Sequence, residues 1–142
     1  MSIRKAEATW NGTLKEGNGT MKAGSNAFNV PFSFSTRFAD EPGTNPEELI
    51  GAALAGCFSM FLSAQLTEAG FPPIQIQTSS EVHLGRDDVG PVIETLVLTT
   101  KAEVPNIDQE KFDDLVAVSK KNCPISRALR AVEELAVHAS LV

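Results

Sequence analysis

The chain contains two cysteines, Cys57 and Cys123, whose thiols can carry redox chemistry. Cys57 lies in a long uncharged stretch, where an inert core cysteine is the simplest interpretation. Cys123 precedes a proline at a predicted helix break, among basic residues that favour a thiolate: Lys120, Lys121, Arg127 and Arg130. One buried and one electropositive cysteine suit a peroxidatic and resolving pair. Because they lie 66 positions apart in the sequence, their spacing alone is a weak signal.

Arg37 and Glu48 are the charged residues most suited to act with a thiol. Arg37 is either a solvated charge at a strand end or a guanidinium that stabilises a thiolate and orients peroxide oxygens. Glu48 closes a capping-box pattern that begins at Asn45, with Pro46 at the first helical position. A second role for Glu48 would be to hold Arg37 in a bidentate pair.

The two histidines, His83 and His138, fall on polar faces of strand-like runs, and we expect both to be exposed. Together with the cysteines they formally allow a Cys2His2 metal site, but no ligand spacing supports one. The 12 basic and 18 acidic residues give a net charge of −6, which argues against binding to nucleic acid. The polar N-terminal segment lacks the apolar region of a signal peptide, so we expect a cytoplasmic protein with reduced cysteines.

The first third of the chain is predicted to form antiparallel β-hairpins. Phe28, Val30, Phe32 and Phe34 recur at period two and are expected to share one strand face. A helix is predicted from Asn45, and its residues 49–67 carry no charge. This stretch is long enough to span a membrane, but its many small and polar residues favour a central helix buried on all sides.

The remainder of the chain predicts two strands, two helices and a final strand. Strands are expected at 74–84 and 92–104, followed by a helix from about Asp108 with four residues on one face: Phe112, Leu115, Val116 and Ser119. Cys123-Pro124 breaks this helix and begins a short second one. The last run alternates as a strand. One α+β domain covering residues 1–142 is the simplest account.

Helix geometry separates Glu48 from Cys57. Nine residues of helix span about 13.5 Å and roughly 180° around the axis, so the two side chains cannot meet on one helix. If both serve one site, Glu48 reaches the Cys57 of a partner chain, or the chain path bends sharply. The first alternative predicts two composite sites in a homodimer.

Two segments resemble the osmotically inducible protein C family, which is related to the organic hydroperoxide resistance proteins. The first is TNPEELIGAA with the following AGCFSM around Cys57, and the second is NCPIS around Cys123. Thr36-Arg37-Phe38 is similar to the arginine segment of the same branch. The resemblance covers nearly the whole chain, and two cysteine motifs in the right order make it specific.

The resemblance implies an α+β fold in which two intertwined subunits wrap antiparallel β-sheets around central helices. It also implies a peroxidase without metal, flavin or haem, in which Cys57 is the peroxidatic cysteine and Cys123 forms a disulfide with it. Arg37 and Glu48 would activate the thiolate and orient the peroxide, and Glu47 is the less favoured carboxylate for this role. The implied substrate is an organic hydroperoxide, and the implied reductant is an external dithiol of lipoyl type. A redox sensor and a binding protein for hydrophobic ligands are the alternative functions.

Overall fold

The computed structural model describes all 142 residues, and the chain divides into two compact units, Met1–Leu49 and Ile50–Val142. Each unit contains a sheet of three strands together with helical segments. The predicted mixed α+β class is therefore confirmed. The single-domain boundary of 1–142 stays a prediction, since each unit is compact by itself.

The first unit is built on an antiparallel sheet in the order β1-β2-β3. Its elements are β1 (Ala6–Asn11), β2 (Asn18–Ala23), β3 (Asn29–Phe32), the short helix α1 (Phe34–Phe38) and the first turn of α2 (Pro46–Glu68). Trp10 and Phe32 pack their rings 5.2 Å apart, on either side of Gly19 in the register. A Cβ on Gly19 would lie 2.7 Å from Trp10 and 2.8 Å from Phe32, so glycine is needed for this packing.

The phenylalanine alternation predicted one strand face, but only Val30 and Phe32 of the four residues lie within β3. Phe34 instead begins α1, because Ser33 caps that helix. The Ser33 hydroxyl accepts from the Thr36 N–H at 3.2 Å, and the Thr36 hydroxyl accepts from the Ser33 N–H at 2.9 Å. This reciprocal capping box ends the strand locally.

The second unit contains most of α2 and a sheet in the order β4-β5-β6. Its further elements are β4 (Gln75–Arg86), β5 (Pro91–Glu103), α3 (Gln109–Asn122), α4 (Pro124–Ala128) and β6 (Glu134–Leu141). β4 and β5 form an antiparallel hairpin, whereas β5 and β6 pair in parallel. This parallel pair departs from the predicted antiparallel sheets, because α3 and α4 form the crossover that parallel strands require.

The core of the second unit lies between one face of α2 and the sheet. Four residues of α2 recur at intervals of four and therefore share one helical face. All four are fully buried: Leu54, Phe58, Leu62 and Leu66. Leu96 and Leu98 of β5 and Phe112 of α3 belong to the same cluster. The predicted buried face of α3 is confirmed in full.

A polar chain fixes α2 against the sheet. The Ser59 hydroxyl donates to Thr78 of β4 at 2.7 Å, and Thr78 shares a 2.9 Å hydrogen bond with Thr100 of β5. Thr100 is fully buried. Because each of these hydroxyls has a partner, the polar chain specifies the position of the helix without leaving an unsatisfied group.

The opposite face of α2 is exposed, which corrects the expectation that this helix is buried on all sides. The exposed residues are small or apolar and include Ala53, Gly56, Met60 and Ala64. By length and composition alone α2 could cross a membrane, with 28% of its most apolar window buried, which is weak evidence of a span.

Candidate active site

Cys57 and Cys123 are neighbours in the second unit, although they lie far apart in sequence. Burial raises the pKa of Cys57, a hydrogen bond from the Ile125 backbone lowers it, and Cys123 raises it further through a hydrogen bond and its charge. Both cysteines are free thiols. The fold therefore brings together the two sulfurs whose meeting the spacing could not establish.

The two thiols differ in accessibility, and the burial expected for Cys57 is found at Cys123 instead. Cys123 has 0% exposure, whereas Cys57 is partly exposed. Cys57 lies between the buried and the exposed faces of α2, because its helical angle falls between those of Leu54 and Met60. An incoming small molecule can reach Cys57, and the sulfur of Cys123 faces the protein interior.

Cys123 is held at the junction of α3 and α4. Its backbone N–H donates to the Ser119 carbonyl at 3.1 Å, which ends α3, and its side chain caps α4. Pro124 occupies the first position of α4, where its missing N–H costs nothing. The predicted break and short second helix are thus confirmed, and they fix the direction of the Cys123 side chain.

Ser126 contacts the Cys123 sulfur twice. Its backbone N–H donates to Sγ at 3.4 Å, and its hydroxyl lies 3.0 Å from Sγ. The basic residues near Cys123 in sequence are exposed, and they make no hydrogen bond to this sulfur. Ser126 was not among the site residues predicted from the sequence. The signal was present in the cap pattern Cys-Pro-x-Ser, in which the third residue after a cap reaches back to it.

Arg37 is paired with Glu47 in the first unit. Its Nε donates to Oε1 at 3.1 Å and to Oε2 at 3.3 Å, and its Nη2 donates to Oε1 at 2.8 Å. The side chains are 35% and 11% exposed, respectively. A planar guanidinium held in this way has a fixed orientation, since two of its nitrogens are engaged by one carboxylate.

Glu48 is not the partner of Arg37, and the expected pair is corrected to Glu47. The Glu48 carboxylate accepts from the Thr44 hydroxyl at 2.7 Å, and its N–H donates to the Asn45 side chain at 2.8 Å. Successive helical residues point about 100° apart, so only one of two adjacent glutamates can face α1. The predicted cap at Asn45 is confirmed, whereas Glu48 does not close the predicted capping box, because its carboxylate binds the Thr44 hydroxyl.

Asn45 also connects α1 to the start of α2. While its side-chain oxygen Oδ1 caps α2, its side-chain Nδ2 donates to the Thr36 backbone carbonyl at 3.0 Å. Thr36 precedes Arg37, and Asn45 lies two residues before Glu47. One amide therefore sets the distance between the two segments that carry the ion pair.

An apolar cavity of about 470 Å³ lies beside Arg37 in the first unit. Its lining is mainly aromatic and aliphatic and includes Trp10, Leu14, Phe32, Phe34, Arg37 and Phe38. The Arg37 guanidinium carbon lies 4.9 Å from the centre of the Phe38 ring, within range of a cation–π contact. The cavity thus combines an apolar body with one fixed cation, as small-ligand sites commonly do.

The histidines take no part in either cluster. His83 is exposed and lies 3.0 Å from Glu81, and His138 is exposed on β6. No group of three or more His, Cys, Asp or Glu side chains is placed to hold a metal ion.

Comparisons with known proteins identify the family of the chain. Residues 39–136 match the family model of the OsmC-like protein family. The chain is 46% identical over 129 residues to the peroxiredoxin OsmC of Escherichia coli strain K12, covering 90% of each chain. It is 33% identical over 93 residues to the organic hydroperoxide resistance protein OhrB of Bacillus subtilis strain 168, covering 63% of this chain and 65% of OhrB.

The fold agrees with solved structures. An organic hydroperoxide resistance protein from Elizabethkingia anophelis superposes with a TM-score of 0.76 at 23% identity, covering 98% of this chain and 99% of that one. At this identity the likeness supports the fold alone, whereas the family model and the 46% identical peroxiredoxin identify the family. The chain therefore belongs to the OsmC-like protein family and is a peroxidase.

Proposed function

We propose that this protein reduces organic hydroperoxides to alcohols at Cys57 and closes each cycle with a Cys57–Cys123 disulfide. The observation that carries the proposal is the pairing of a partly exposed thiol with a fully buried one. The exposed sulfur can meet the peroxide, and the buried sulfur is shielded from it. A peroxidatic cysteine must be accessible to the peroxide, and a resolving cysteine must be close to it and protected from oxidation.

The chemistry takes place in two oxidative steps. The Cys57 thiolate attacks the terminal peroxide oxygen, the O–O bond breaks, and the alkoxide leaves as the alcohol after taking a proton, so that Cys57 becomes a sulfenic acid. The Cys123 thiolate then attacks the Cys57 sulfur, and the S–O bond breaks. The departing hydroxide takes a proton and leaves as water.

An external dithiol restores the enzyme. One of its thiolates attacks the Cys57 sulfur of the disulfide and displaces Cys123, and its second thiol then releases Cys57. The dithiol is oxidised to its own disulfide, so electrons balance without a bound cofactor. A lipoyl-type dithiol in the cytoplasm fits the family resemblance.

Arg37 is proposed to stabilise the reacting oxygens and the Cys57 thiolate. Ile125 and Cys123 are the neighbours that shift the pKa of Cys57 within its own unit, and neither contributes a positive charge. A thiol with a raised pKa is mostly protonated near neutral pH, so the reaction benefits from an added cation. The Glu47-held guanidinium of Arg37 is suited to supply it.

Two chains are proposed to complete each site. Glu47 and Cys57 are ten residues apart in α2, about 15 Å along the helix axis. We therefore propose a composite site, in which Arg37 and Glu47 of one subunit act on Cys57 of the other. In such a site the distance along a single helix no longer applies. The exposed apolar face of α2, with Met60 78% exposed, supports a second copy as its cover, since exposed apolar surface favours association.

The apolar cavity beside Arg37 is proposed to hold the organic part of the hydroperoxide. Its aromatic lining favours an alkyl or aryl group, and the guanidinium at its side favours the peroxide oxygens. We therefore expect cumene hydroperoxide to be reduced faster than hydrogen peroxide. Faster turnover of hydrogen peroxide would count against this assignment.

One experiment tests the core of the proposal. Reduced protein receives one equivalent of cumene hydroperoxide and is then treated with an alkylating agent, and the intact mass is recorded. We expect the loss of two hydrogens, no alkylation, and a peptide linking Cys57 to Cys123, while Cys57→Ser leaves the hydroperoxide unconsumed. Two freely alkylated thiols with unchanged hydroperoxide would refute the peroxidase mechanism and favour a binding protein.

A further inference from the structure

The Ser126 side chain has no assigned role in the cycle, yet it contacts the sulfur that must attack and later depart. Its hydroxyl oxygen lies 3.0 Å from Cys123 Sγ, and its N–H donates to the same atom at 3.4 Å. Ser126 is buried, and Cys123 is fully buried. The two contacts therefore take the place of water at this sulfur.

We propose that Ser126 is a positioning residue that holds Cys123 toward Cys57 and stabilises its thiolate during disulfide formation and reduction. The inference rests on the proposed two-cysteine cycle and adds to it a residue that controls the second half of that cycle. It concerns the fate of the Cys57 sulfenic acid and leaves the first attack on the hydroperoxide to Cys57 itself.

A charged sulfur that is removed from water is costly unless hydrogen bonds replace its solvation. While Cys123 is a thiol, the Ser126 hydroxyl can accept its proton in a hydrogen bond, and when the sulfur is ionised the same hydroxyl can donate. The Ser126 N–H donates in both states. One side chain thus serves the thiol and the thiolate without moving.

The contacts act on two chemical steps. When Cys123 attacks the sulfenic acid, the S–S bond forms and hydroxide leaves, and a larger thiolate population makes the step faster. When a reductant attacks Cys57, the S–S bond breaks and the electron pair goes to Cys123, so a stabilised thiolate leaves more readily. Ser126 is expected to assist both steps, because Cys123 carries the negative charge in each.

Ser126 also restricts the direction of the sulfur. The backbone of Cys123 is fixed by its N–H bond to Ser119 and by Pro124 at the start of α4. The remaining freedom is rotation of the side chain, and two contacts from Ser126 limit it. Aligning the nucleophile before reaction removes an entropic cost from the step.

Ser126→Ala removes the hydroxyl and keeps the N–H contact. The loss of a hydrogen bond to a charged group corresponds to about a tenfold smaller thiolate population. The thiolate that remains is a better nucleophile, which offsets about threefold of this loss at a Brønsted slope near 0.4–0.5. We therefore expect disulfide formation to slow about threefold, and more if alignment is also lost.

The experiment separates the two halves of the cycle by single turnover. Reduced protein is mixed with one equivalent of cumene hydroperoxide, and samples are quenched over time with a reagent that traps sulfenic acid. Wild type, Ser126→Ala, Ser126→Thr and Ser119→Ala are compared. Ser119 is the matched control, because it is fully buried and donates to the Leu115 carbonyl at 2.7 Å instead of contacting a sulfur.

We expect equal rates of hydroperoxide consumption in all four proteins, with more trapped sulfenic acid in Ser126→Ala alone. Ser126→Thr retains the hydroxyl and should resemble wild type. Rescue by Ser126→Thr distinguishes the loss of the hydroxyl from a purely structural defect.

Disulfide formation in Ser126→Ala at the wild-type rate, or the same delay in Ser119→Ala, would overturn the role of Ser126. Failure of the wild-type protein to consume hydroperoxide or to form the disulfide would instead refute the proposed function. The two failures are therefore distinguishable within one experiment.

Discussion

Arg37 engages Glu47 through two nitrogens, with Nε 3.1 Å and Nη2 2.8 Å from the same carboxylate oxygen. The neighbouring Glu48 binds Thr44 instead. Two adjacent glutamates in one helical turn thus have different roles, and the difference follows from the direction in which each side chain leaves the helix.

The first prediction compares these glutamates. Glu47→Gln should lower kcat/KM for cumene hydroperoxide about tenfold or more, because a misdirected guanidinium no longer meets the reacting atoms. Glu48→Gln is the matched control and should retain activity close to wild type. Steady-state kinetics on both variants decides the assignment. A larger loss in Glu48→Gln would return the catalytic role to Glu48.

The second prediction concerns shared sites. Cys57→Ser and Arg37→Ala should each be inactive as homodimers. Heterodimers of the two should recover up to half of the activity per site, because one of the two composite sites then carries both intact residues. Differently tagged subunits, copurified through both tags, provide the sample. Confirmed heterodimers without activity would exclude sites that combine Arg37 of one subunit with Cys57 of the other.

The third prediction concerns the pH dependence of Cys57 alkylation. The thiolate is the reactive form, so the rate must rise as pH rises through the pKa. Burial and Cys123 raise the pKa of Cys57, and a nearby Arg37 would oppose them. Arg37→Ala should therefore move the alkylation profile to higher pH and slow the reaction near neutral pH about tenfold or more.

The control for this profile is Arg130→Ala, which removes an exposed arginine. Its profile should match wild type. Iodoacetamide labelling followed by peptide mapping reports Cys57 separately from the buried Cys123. Coincident profiles for wild type and Arg37→Ala would show that Arg37 does not act on this thiol.

The fourth prediction concerns the exposed face of α2. Met60→Glu places a charge in the proposed subunit interface and should convert the dimer to monomers with loss of peroxidase activity. Val89→Glu is the control, because Val89 is 97% exposed and lies in the turn between β4 and β5. Light scattering measures the mass of each variant. A monomeric wild-type protein with full activity would contradict the composite site.

The fifth prediction concerns substrate preference. Leu14 lines the apolar cavity, and Leu14→Ala should lower kcat/KM for cumene hydroperoxide about tenfold through lost apolar contact. The rate with hydrogen peroxide should be unchanged, since that substrate has no organic group. Ile74→Ala, at an exposed position of the second unit, is the matched control. An equal loss with both peroxides would indicate a general structural effect.

Local signals predicted most of the secondary structure. The cap at Asn45, the buried face of α3 and the break at Cys123-Pro124 depend on neighbouring residues, and all three are observed. The phenylalanine alternation failed beyond Phe32, because the Ser33 cap redirects the chain before Phe34. At this position the capping hydrogen bonds of Ser33 determined where the strand ends, and the hydrophobic periodicity did not.

The site was harder to predict, because it depends on contacts between distant segments. Which glutamate meets Arg37 is decided by the helical phase of α2 relative to α1, and adjacent residues look equivalent in sequence. The relative burial of the two cysteines is likewise set by the crossover between β5 and β6, which encloses Cys123. Neither property can be predicted from the residues that are adjacent in the sequence.

The separation of 66 positions between Cys57 and Cys123 in the sequence has a consequence for stability as well as for catalysis. A disulfide that closes a loop of this length restricts the unfolded chain and would raise the free energy of unfolding by about 4 kcal/mol. The oxidised enzyme, which waits for its reductant, would then resist heat and proteolysis better than the reduced one. The enzyme would therefore resist unfolding and degradation best when the supply of peroxide exceeds the supply of reductant.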